Sequence, residues 1–108
     1  RDALGMPVAE AYSGPGDAEV TILDAGRATL EICNDAQVDH IDEVEVGRRV
    51  APHFRVALEV DDCAVATEAA ERAGATLVAP PTQTPWESVN ARFDAPAEVH
   101  LTLFEERA

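Results

Sequence analysis

Short apolar segments, rich in Val, Leu, Ile, Thr and Phe and bounded by Gly, Pro or Asp, recur along the whole chain. Segments of this length and composition are typical of β-strands, in which side chains alternate between two faces. The pattern predicts seven strands, at about residues 8–13, 18–24, 28–33, 54–60, 76–79, 88–94 and 99–105.

One segment has the spacing of a helix instead. We predict a helix from Cys63 to Ala73, capped by Asp61 or Asp62 and ended by Gly74. Its narrow apolar stripe consists of Val65, Ala66, Ala69, Ala70 and Ala73.

Two stretches of the chain resemble each other. The segment LDAGRATLEI at 23–32 matches FDAPAEVHLTLF at 93–104 if the second copy has one extra residue in its turn. The opening RDALGMP resembles the last turn of a helix, and its Gly5 matches Gly74. The alternative is chance similarity between two hairpins. The repeat predicts two copies of a strand, helix and three-strand unit, at 1–47 and 48–108 within a single domain.

The first copy is incomplete on this interpretation. Shifting the strand at 54–60 and the following helix back by the repeat distance places that strand and most of that helix before residue 1. We therefore expect this sequence to be a partial chain.

The charge composition disfavours some classes of binding partner. Lys and Arg number 8 against 21 Asp and Glu, for a net charge of -13, which disfavours nucleic acids and anionic membranes. The acidity indicates a solvated surface or the attraction of a cationic ligand. No apolar run reaches the roughly 18 residues of a membrane span, and no signal-peptide pattern is present, so we expect a cytoplasmic protein.

Several enzyme classes are excluded by missing residues and motifs. The chain has no Lys, which removes Schiff-base chemistry and the phosphate-loop lysine, and it has no GxSxG or GxGxxG motif. Its two cysteines, Cys33 and Cys63, lack the spacing of a zinc site or a disulfide framework, so we expect reduced thiols.

The order of elements in the second copy, with GATLVAPPTQTPWESVNARFDAP leading into the strand LTLFEE, resembles the vicinal oxygen chelate superfamily. That superfamily includes glyoxalase I, bleomycin-resistance proteins and extradiol dioxygenases. The resemblance implies an α+β fold in which two βαβββ units form a curled mixed sheet, or cup, with helices outside. It also implies a homodimer.

The resemblance also implies which residues of this chain stand at the metal-ligand positions of the superfamily. Metal-dependent members place a His on the first strand and a Glu on the last strand of each unit. The first His would precede residue 1, and Glu31 stands at the first Glu position. Arg55 and Thr102 occupy the second His and Glu positions. A guanidinium has no lone pair for a metal, so the resemblance implies that no metal is bound.

Two histidines leave a displaced metal site as an alternative. His53 and His100 each lie two residues before a lost ligand position, and together with Glu31 they would supply three donors. The ordinary interpretation of each His is a hydrogen-bonding pocket or surface residue.

Without a metal, Arg55 would pair with Glu31 or hold a carboxylate or carbonyl of a ligand. Asn90 and Arg92 alternate along the strand predicted at 88–94 toward the expected cup, and Trp86 lies in the turn before them, where an indole can stack on a planar or cationic ligand. The candidate ligand-binding residues are Glu31, Arg55, Trp86, Asn90, Arg92, His100 and Thr102.

Three functions fit these observations. The first is a metal-free protein that binds a small molecule in the cup, as in antibiotic sequestration. The second is a lyase, isomerase or dioxygenase of the same superfamily that uses a divalent metal. The third is a dimeric module whose cup is vestigial or serves a partner.

Overall fold

The computed structural model describes residues 5–26 and 28–107. These residues fall into two compact units, one ending at Ile41 and the other beginning at Asp42, so the boundary lies six residues before the predicted one. The helical turn expected at the start of the chain falls largely on residues 1–4, outside the described part. Gly5, which follows it, has the expected positive φ of 67°.

The first unit contains a three-stranded antiparallel sheet. Strands β1 (Val8–Ser13), β2 (Glu19–Ala25) and β3 (Ala28–Cys33) follow one another in space as they do in sequence. The predicted bounds of β1 and β3 are confirmed to the residue, and those of β2 to within one residue.

A helix that the sequence analysis missed follows this sheet. Helix α1 spans Asp35–Glu45, and Asn34 caps it by accepting a hydrogen bond from the Gln37 backbone at 2.9 Å. Gly47, with φ of 86°, lies just beyond its end. The first unit ends within α1, so the last turn of this helix belongs to the second unit.

The second unit has the complete βαβββ order that the sequence predicted. Strand β4 (Val56–Glu59) is followed by helix α2 (Cys63–Arg72) and by strands β5 (Thr76–Gln83), β6 (Ser88–Ala95) and β7 (Val99–Glu106). The sheet order is β4-β7-β6-β5, with β4 and β7 parallel and the other neighbours antiparallel. Helix α2 provides the crossover connection that the sheet requires.

The predicted signals at both ends of α2 are confirmed. Asp62 is the N-cap, and its Oδ1 accepts a hydrogen bond from the Val65 backbone at 3.1 Å. Gly74 follows the helix with φ of 109°, a conformation that favours glycine.

The two faces of the second sheet differ in chemistry. One face packs against α2 and forms the apolar core of Cys63, Ala91, Phe93 and Leu103. Because side chains alternate along a strand, the opposite face carries the polar residues of β6 and β7. That polar face is also buried, and its residues are Ser88, Asn90, Arg92, His100 and Thr102.

Strand register confirms the repeat. In the first unit Leu23 pairs with Leu30, and in the second Phe93 pairs with Leu101, as the matched segments require. One position further along, Glu31 pairs with Ile22 and Thr102 pairs with Arg92. Thr102 in the second unit therefore occupies the position that Glu31 occupies in the first, and Arg92 occupies the position of Ile22.

The connection between β6 and β7 contains the extra residue. It is a short 3-10 turn, Pro96–Glu98, in which Ala97 and Glu98 have φ of 66° and 60°. Few non-glycine residues adopt this left-handed conformation.

The expected single curled sheet is not what the described strands form. Their hydrogen bonds build two open sheets, one of three strands and one of four. The α+β class and the βαβββ order of the second unit are confirmed, whereas a cup remains a prediction. Neither described helix, of 11 and 10 residues, has the length and apolar character needed to cross a membrane.

Candidate functional site

The candidate site is the buried polar face of the second sheet. Arg92 lies at its centre on β6 and is 0% exposed. The last turn of α1 supplies Asp42 and Glu45 to the same cluster, and both carboxylates are buried. The sequence brings these two acids to one side of the helix because residues three positions apart are neighbours on a helix surface.

Arg92 is held by two carboxylates. Its Nη2 donates to Asp42 Oδ1 at 2.8 Å, and its Nη1 donates to Glu45 Oε1 at 3.2 Å. A buried guanidinium needs such partners because an unpaired charge in the interior is very unfavourable. This arrangement fixes the position of Arg92 from two directions.

Asp42 accepts more hydrogen bonds than Glu45 does. Its Oδ2 accepts hydrogen bonds from the backbone of Val50 and Ala51, each at 2.7 Å. Burial acts to raise the pKa of Asp42, but these backbone donors together with Arg92 outweigh it, so the pKa lies below its ordinary value. Asp42 is therefore a charged anchor at neutral pH.

The pKa of Glu45 is shifted in the opposite direction from that of Asp42. Its Oε2 accepts a hydrogen bond from Asn90 Nδ2 at 2.9 Å, and its Oε1 lies 3.9 Å from Arg55 Nη1. Burial raises the pKa of Glu45 above its ordinary value, even though Arg55, Arg92 and Asn90 act to lower it. The carboxylate of Glu45 is thus the less stable anion of the pair.

His100 lies on β7 beside Arg92. Its Nε2 accepts from Arg92 Nε at 3.1 Å and faces Arg92 Nη2 at 2.8 Å. Because arginine only donates, Nε2 must be unprotonated, and the proton of the neutral ring lies on Nδ1. Nδ1 lies 3.5 Å from Asp94 Oδ1. Burial and the neighbouring Arg92 keep the pKa of His100 below its ordinary value, despite the opposing effect of Asp94.

Arg55 and Thr102 are in direct contact. They occupy the two positions of the second unit that correspond, by the resemblance, to metal ligands. Arg55 Nη1 donates to Thr102 Oγ1 at 3.1 Å. Thr102 is buried, whereas the side chain of Arg55, just before β4, is 26% exposed. Arg55 therefore connects the buried cluster to the surface.

A chain of neutral side chains extends the cluster along β6. Asn90 Oδ1 accepts from Ser88 Oγ at 2.6 Å, and Ser88 Oγ lies 2.8 Å from Thr84 Oγ1. These bonds orient Asn90 so that its amide nitrogen faces Glu45. Asn90 is thus a structural partner of an acid, a role that the sequence analysis did not foresee.

The remaining predicted residues are exposed. Glu31 is an exposed residue of β3 in the first unit, and His53 is exposed in the loop before β4. Trp86 lies in the turn between β5 and β6 and is 41% exposed. Its stacking role stays a prediction.

The displaced metal site concerns residues of both units. Within residues 5–26 and 28–107, no group of three or more His, Cys, Asp or Glu is placed to hold a metal. His100 is unsuited to this role because its Nε2 already accepts from Arg92. A site that joins Glu31 of the first unit to His53 and His100 of the second stays a prediction.

An open depression of about 580 Å³ lies at one end of the same sheet. His100 contributes to its wall together with Asp94 and Glu98, so its charged lining is acidic. The other lining residues are Val50, Pro52, Gly74, Thr76, Ala95 and Pro96. Its volume falls within the usual range of small-molecule sites.

Sequence reasoning missed Asp42 and Glu45. The signal for their helix was present, since Asn34 is followed three residues later by Gln37 and the segment closes at Gly47. Acidic residues are usually exposed, so nothing in the sequence marked these two as buried partners of Arg92.

Comparisons with known proteins give a fold likeness at low sequence identity. No protein-family model matches the chain, and no curated protein matches it. Among solved structures, a glyoxalase family protein from Bacillus cereus is 15% identical with a TM-score of 0.49, over 99% of this chain and 82% of that one.

Two further solved structures are similar. A glyoxalase/bleomycin resistance protein/dioxygenase from Nocardioides is 20% identical with a TM-score of 0.42, over 95% of this chain and 68% of that one. A hypothetical protein from S. aureus is 14% identical with a TM-score of 0.46, over 96% and 79%. Two of the three names fall in the group that the sequence resembles. At these values, the function must be argued from the contacts of this chain itself.

Proposed function

We propose that this chain is a glyoxalase/bleomycin-resistance-like protein that binds a small molecule without a metal, at the polar face of its second unit. The observation that carries the proposal is the hydrogen bond from Arg55 to Thr102. Two positions that hold metal ligands in metal-dependent members of the resembled superfamily are here a cation and a hydroxyl in contact.

The donors at this site do not suit a divalent metal. Arg55 has no lone pair, and Thr102 Oγ1 already accepts a proton from it. On the same face, His100 Nε2 accepts from Arg92. A metal would have to displace each of these bonds, so the chemistry of the site favours recognition by hydrogen bonding.

Arg55 is the residue that a ligand would meet first. Both of its contacts described above involve Nη1, and the side chain remains partly exposed. A guanidinium can offer two parallel N–H groups to a carboxylate or carbonyl oxygen. Beneath Arg55, the ion pairs of Arg92 hold the face rigid, which lowers the entropic cost of binding.

Binding without turnover is the activity that these residues support. The cluster supplies a neutral His100, an ionised Asp42 and two arginines. The hydroxyl that contacts Arg55, Thr102 Oγ1, accepts a hydrogen bond from it, and no general base is bonded to this hydroxyl within the described residues. Sequestration of a planar antibiotic, with Trp86 as a stacking surface, is the specific form that we propose. A homodimer would be the functional state.

The first test is a thermal-shift screen of the purified protein against bleomycin and other planar antibiotics. A bound ligand raises the melting temperature by an amount that grows with the logarithm of its concentration over Kd when ligand is in excess. We expect at least one compound to stabilise the protein, and Arg55→Gln to remove that shift. Arg72→Gln is the matched control because Arg72 is an exposed arginine at the end of α2.

Two results would count against the proposal. One is a protein that no compound stabilises, which would favour the vestigial module. The other is a stoichiometric Ni, Zn, Mn or Fe content in protein purified without chelator, which would favour the metal-dependent lyase, isomerase or dioxygenase.

A further inference from the structure

Glu45 Oε1 faces two guanidinium groups at once. It accepts from Arg92 Nη1 at 3.2 Å and lies 3.9 Å from Arg55 Nη1. The other oxygen, Oε2, is bound by Asn90. A single carboxylate therefore supplies negative charge to a fully buried arginine and to a partly exposed one.

The two arginines depend on Glu45 to different degrees. Arg92 also contacts Asp42 and His100, so it keeps charged and neutral partners without Glu45. In the described part of the chain, Glu45 is the carboxylate within 4 Å of Arg55, whose other contact is the neutral Thr102. At 3.9 Å, the separation of Arg55 from Glu45 is longer than that of a charge-assisted hydrogen bond, so this pairing is loose.

We propose that Arg55 binds an anionic oxygen group of the ligand, and that Glu45 is an internal competitor that pairs with Arg55 until the ligand arrives. This inference rests on the proposed function and adds the chemical class of the ligand, a sulfonate, carboxylate or phosphonate attached to a small organic body. Arg92 stays in place beneath Arg55 throughout.

The opposite charges of Arg55 and Glu45 support these roles. A cationic ligand group would meet Arg55 directly and be repelled, whereas an oxyanion would gain a partner that is already partly exposed. An approaching anion is also repelled by Glu45, so the carboxylate reduces the affinity for any anion that binds at Arg55. Removing the negative charge of Glu45 should therefore strengthen anion binding.

The test uses benzenesulfonate, which remains an anion over the whole working pH range, and benzenesulfonamide as its neutral counterpart. Binding is measured by calorimetry on the full chain and on Glu45→Gln. We expect Glu45→Gln to bind benzenesulfonate about fivefold or more tightly than the unmodified chain, at the lower end of typical coupling between sites. Affinity for benzenesulfonamide should not rise.

Glu43→Gln is the matched control. Glu43 is an exposed residue of the same helix turn, so this substitution removes one negative charge without touching Arg55. A general effect of net charge would raise benzenesulfonate affinity equally in both variants and would overturn the inference. So would a Glu45→Gln protein that binds the anion no better than the unmodified chain.

A second measurement needs no substitution, in case Glu45→Gln does not fold. In the unmodified protein labelled with nitrogen-15, benzenesulfonate should shift the side-chain guanidinium signals of Arg55, and benzenesulfonamide should not. Signals of Arg55 that stay fixed while the anion binds would overturn the inference. If antibiotics stabilise the protein but anions do not bind at Arg55, only this inference fails, whereas absence of any ligand contradicts the proposed function itself.

Discussion

At the scale of single residues, Arg92 is the most constrained side chain of the second unit. It is completely buried, and Asp42, Glu45 and His100 together engage its Nε, Nη1 and Nη2. The sequence placed Arg92 correctly on the polar face of its strand. It could not show that the partners of Arg92 come from within the protein.

Replacing Arg92 should be among the most destabilising changes in the chain. Arg92→Met leaves Asp42 and Glu45 buried without their cation, and breaking a buried pair in this way typically costs about 3–5 kcal/mol. Urea denaturation would measure the loss in the free energy of unfolding. Arg72→Met, at an exposed position of α2, should change it by less than about 0.5 kcal/mol. A loss below about 1 kcal/mol for Arg92→Met would contradict the role of this cluster in stability.

The two buried acids should contribute to the pH dependence of stability with opposite signs. Asp42 has a lowered pKa, so the stability it provides is present above its unfolded value of 3.8 and is lost as the pH falls through its folded pKa. Glu45 has a raised pKa, so the folded state takes up a proton first. The protein therefore gains stability from Glu45 as the pH falls from its raised pKa toward 4.5.

Unfolding measured across pH in two variants separates these contributions. Relative to Asp42→Asn, the unmodified protein should lose stability below about pH 3.8. Relative to Glu45→Gln, it should gain stability on acidification and then level off near pH 4.5. Parallel curves for the unmodified protein and Glu45→Gln would show that Glu45 has no raised pKa.

At the scale of elements, the strands were predictable because their alternation is local, and α2 was predictable because Asp62 and Gly74 mark its ends. Strand β5 continues to Gln83, four residues past its predicted end, although Pro80 and Pro81 lie within it. The sheet order explains this, since β5 is an edge strand where missing N–H donors are tolerated. Its register with β6 shifts on both sides of Ala79.

Helix α1 was the larger omission, and its apolar pattern explains why. Val38 and Ile41 begin a helical stripe, but the next positions of the same face hold Asp42 and Glu45. The interruption has a structural reason, since those acids pair with Arg92. A rule that seeks apolar periodicity therefore fails where a helix buries charge.

The cap of α1 offers a direct test of this element. Asn34 Oδ1 accepts from the backbone of both Gln37 and Glu19, so Asn34→Ala should lower the free energy of unfolding by about 1–2 kcal/mol. Thermal or urea unfolding would measure it. Asn34→Asp keeps the acceptor but removes the hydrogen bond from Asn34 Nδ2 to the Asp17 carbonyl at 2.6 Å, so it separates the two contributions. A smaller loss in Asn34→Asp than in Asn34→Ala would show that the cap oxygen stabilises the helix, and equal or larger losses in Asn34→Asp would assign the effect to the bond with Asp17.

At the scale of the whole molecule, the two copies of the repeat have diverged in chemistry while keeping their register. The positions occupied by Ile22 and Glu31 in the first unit correspond to Arg92 and Thr102 in the second. A buried arginine cluster exists in the second unit, whereas Glu31 in the first is exposed. The net charge of -13 counts the whole chain and does not describe this site, where Arg49, Arg55 and Arg92 meet Asp42 and Glu45.

The left-handed turn between β6 and β7 shows how a hairpin can lengthen without losing its site. The turn of the second copy is one residue longer than its counterpart, and Ala97 and Glu98 absorb the difference in conformations that cost about 1–3 kcal/mol each. Had the same residue been inserted within β7, every side chain on one side of the insertion would have changed faces. Thr102 and His100 would then have turned toward α2, and Arg92 would have lost the partner across the strand. An extra residue at the tip of the hairpin thus leaves the facing of both strands unchanged.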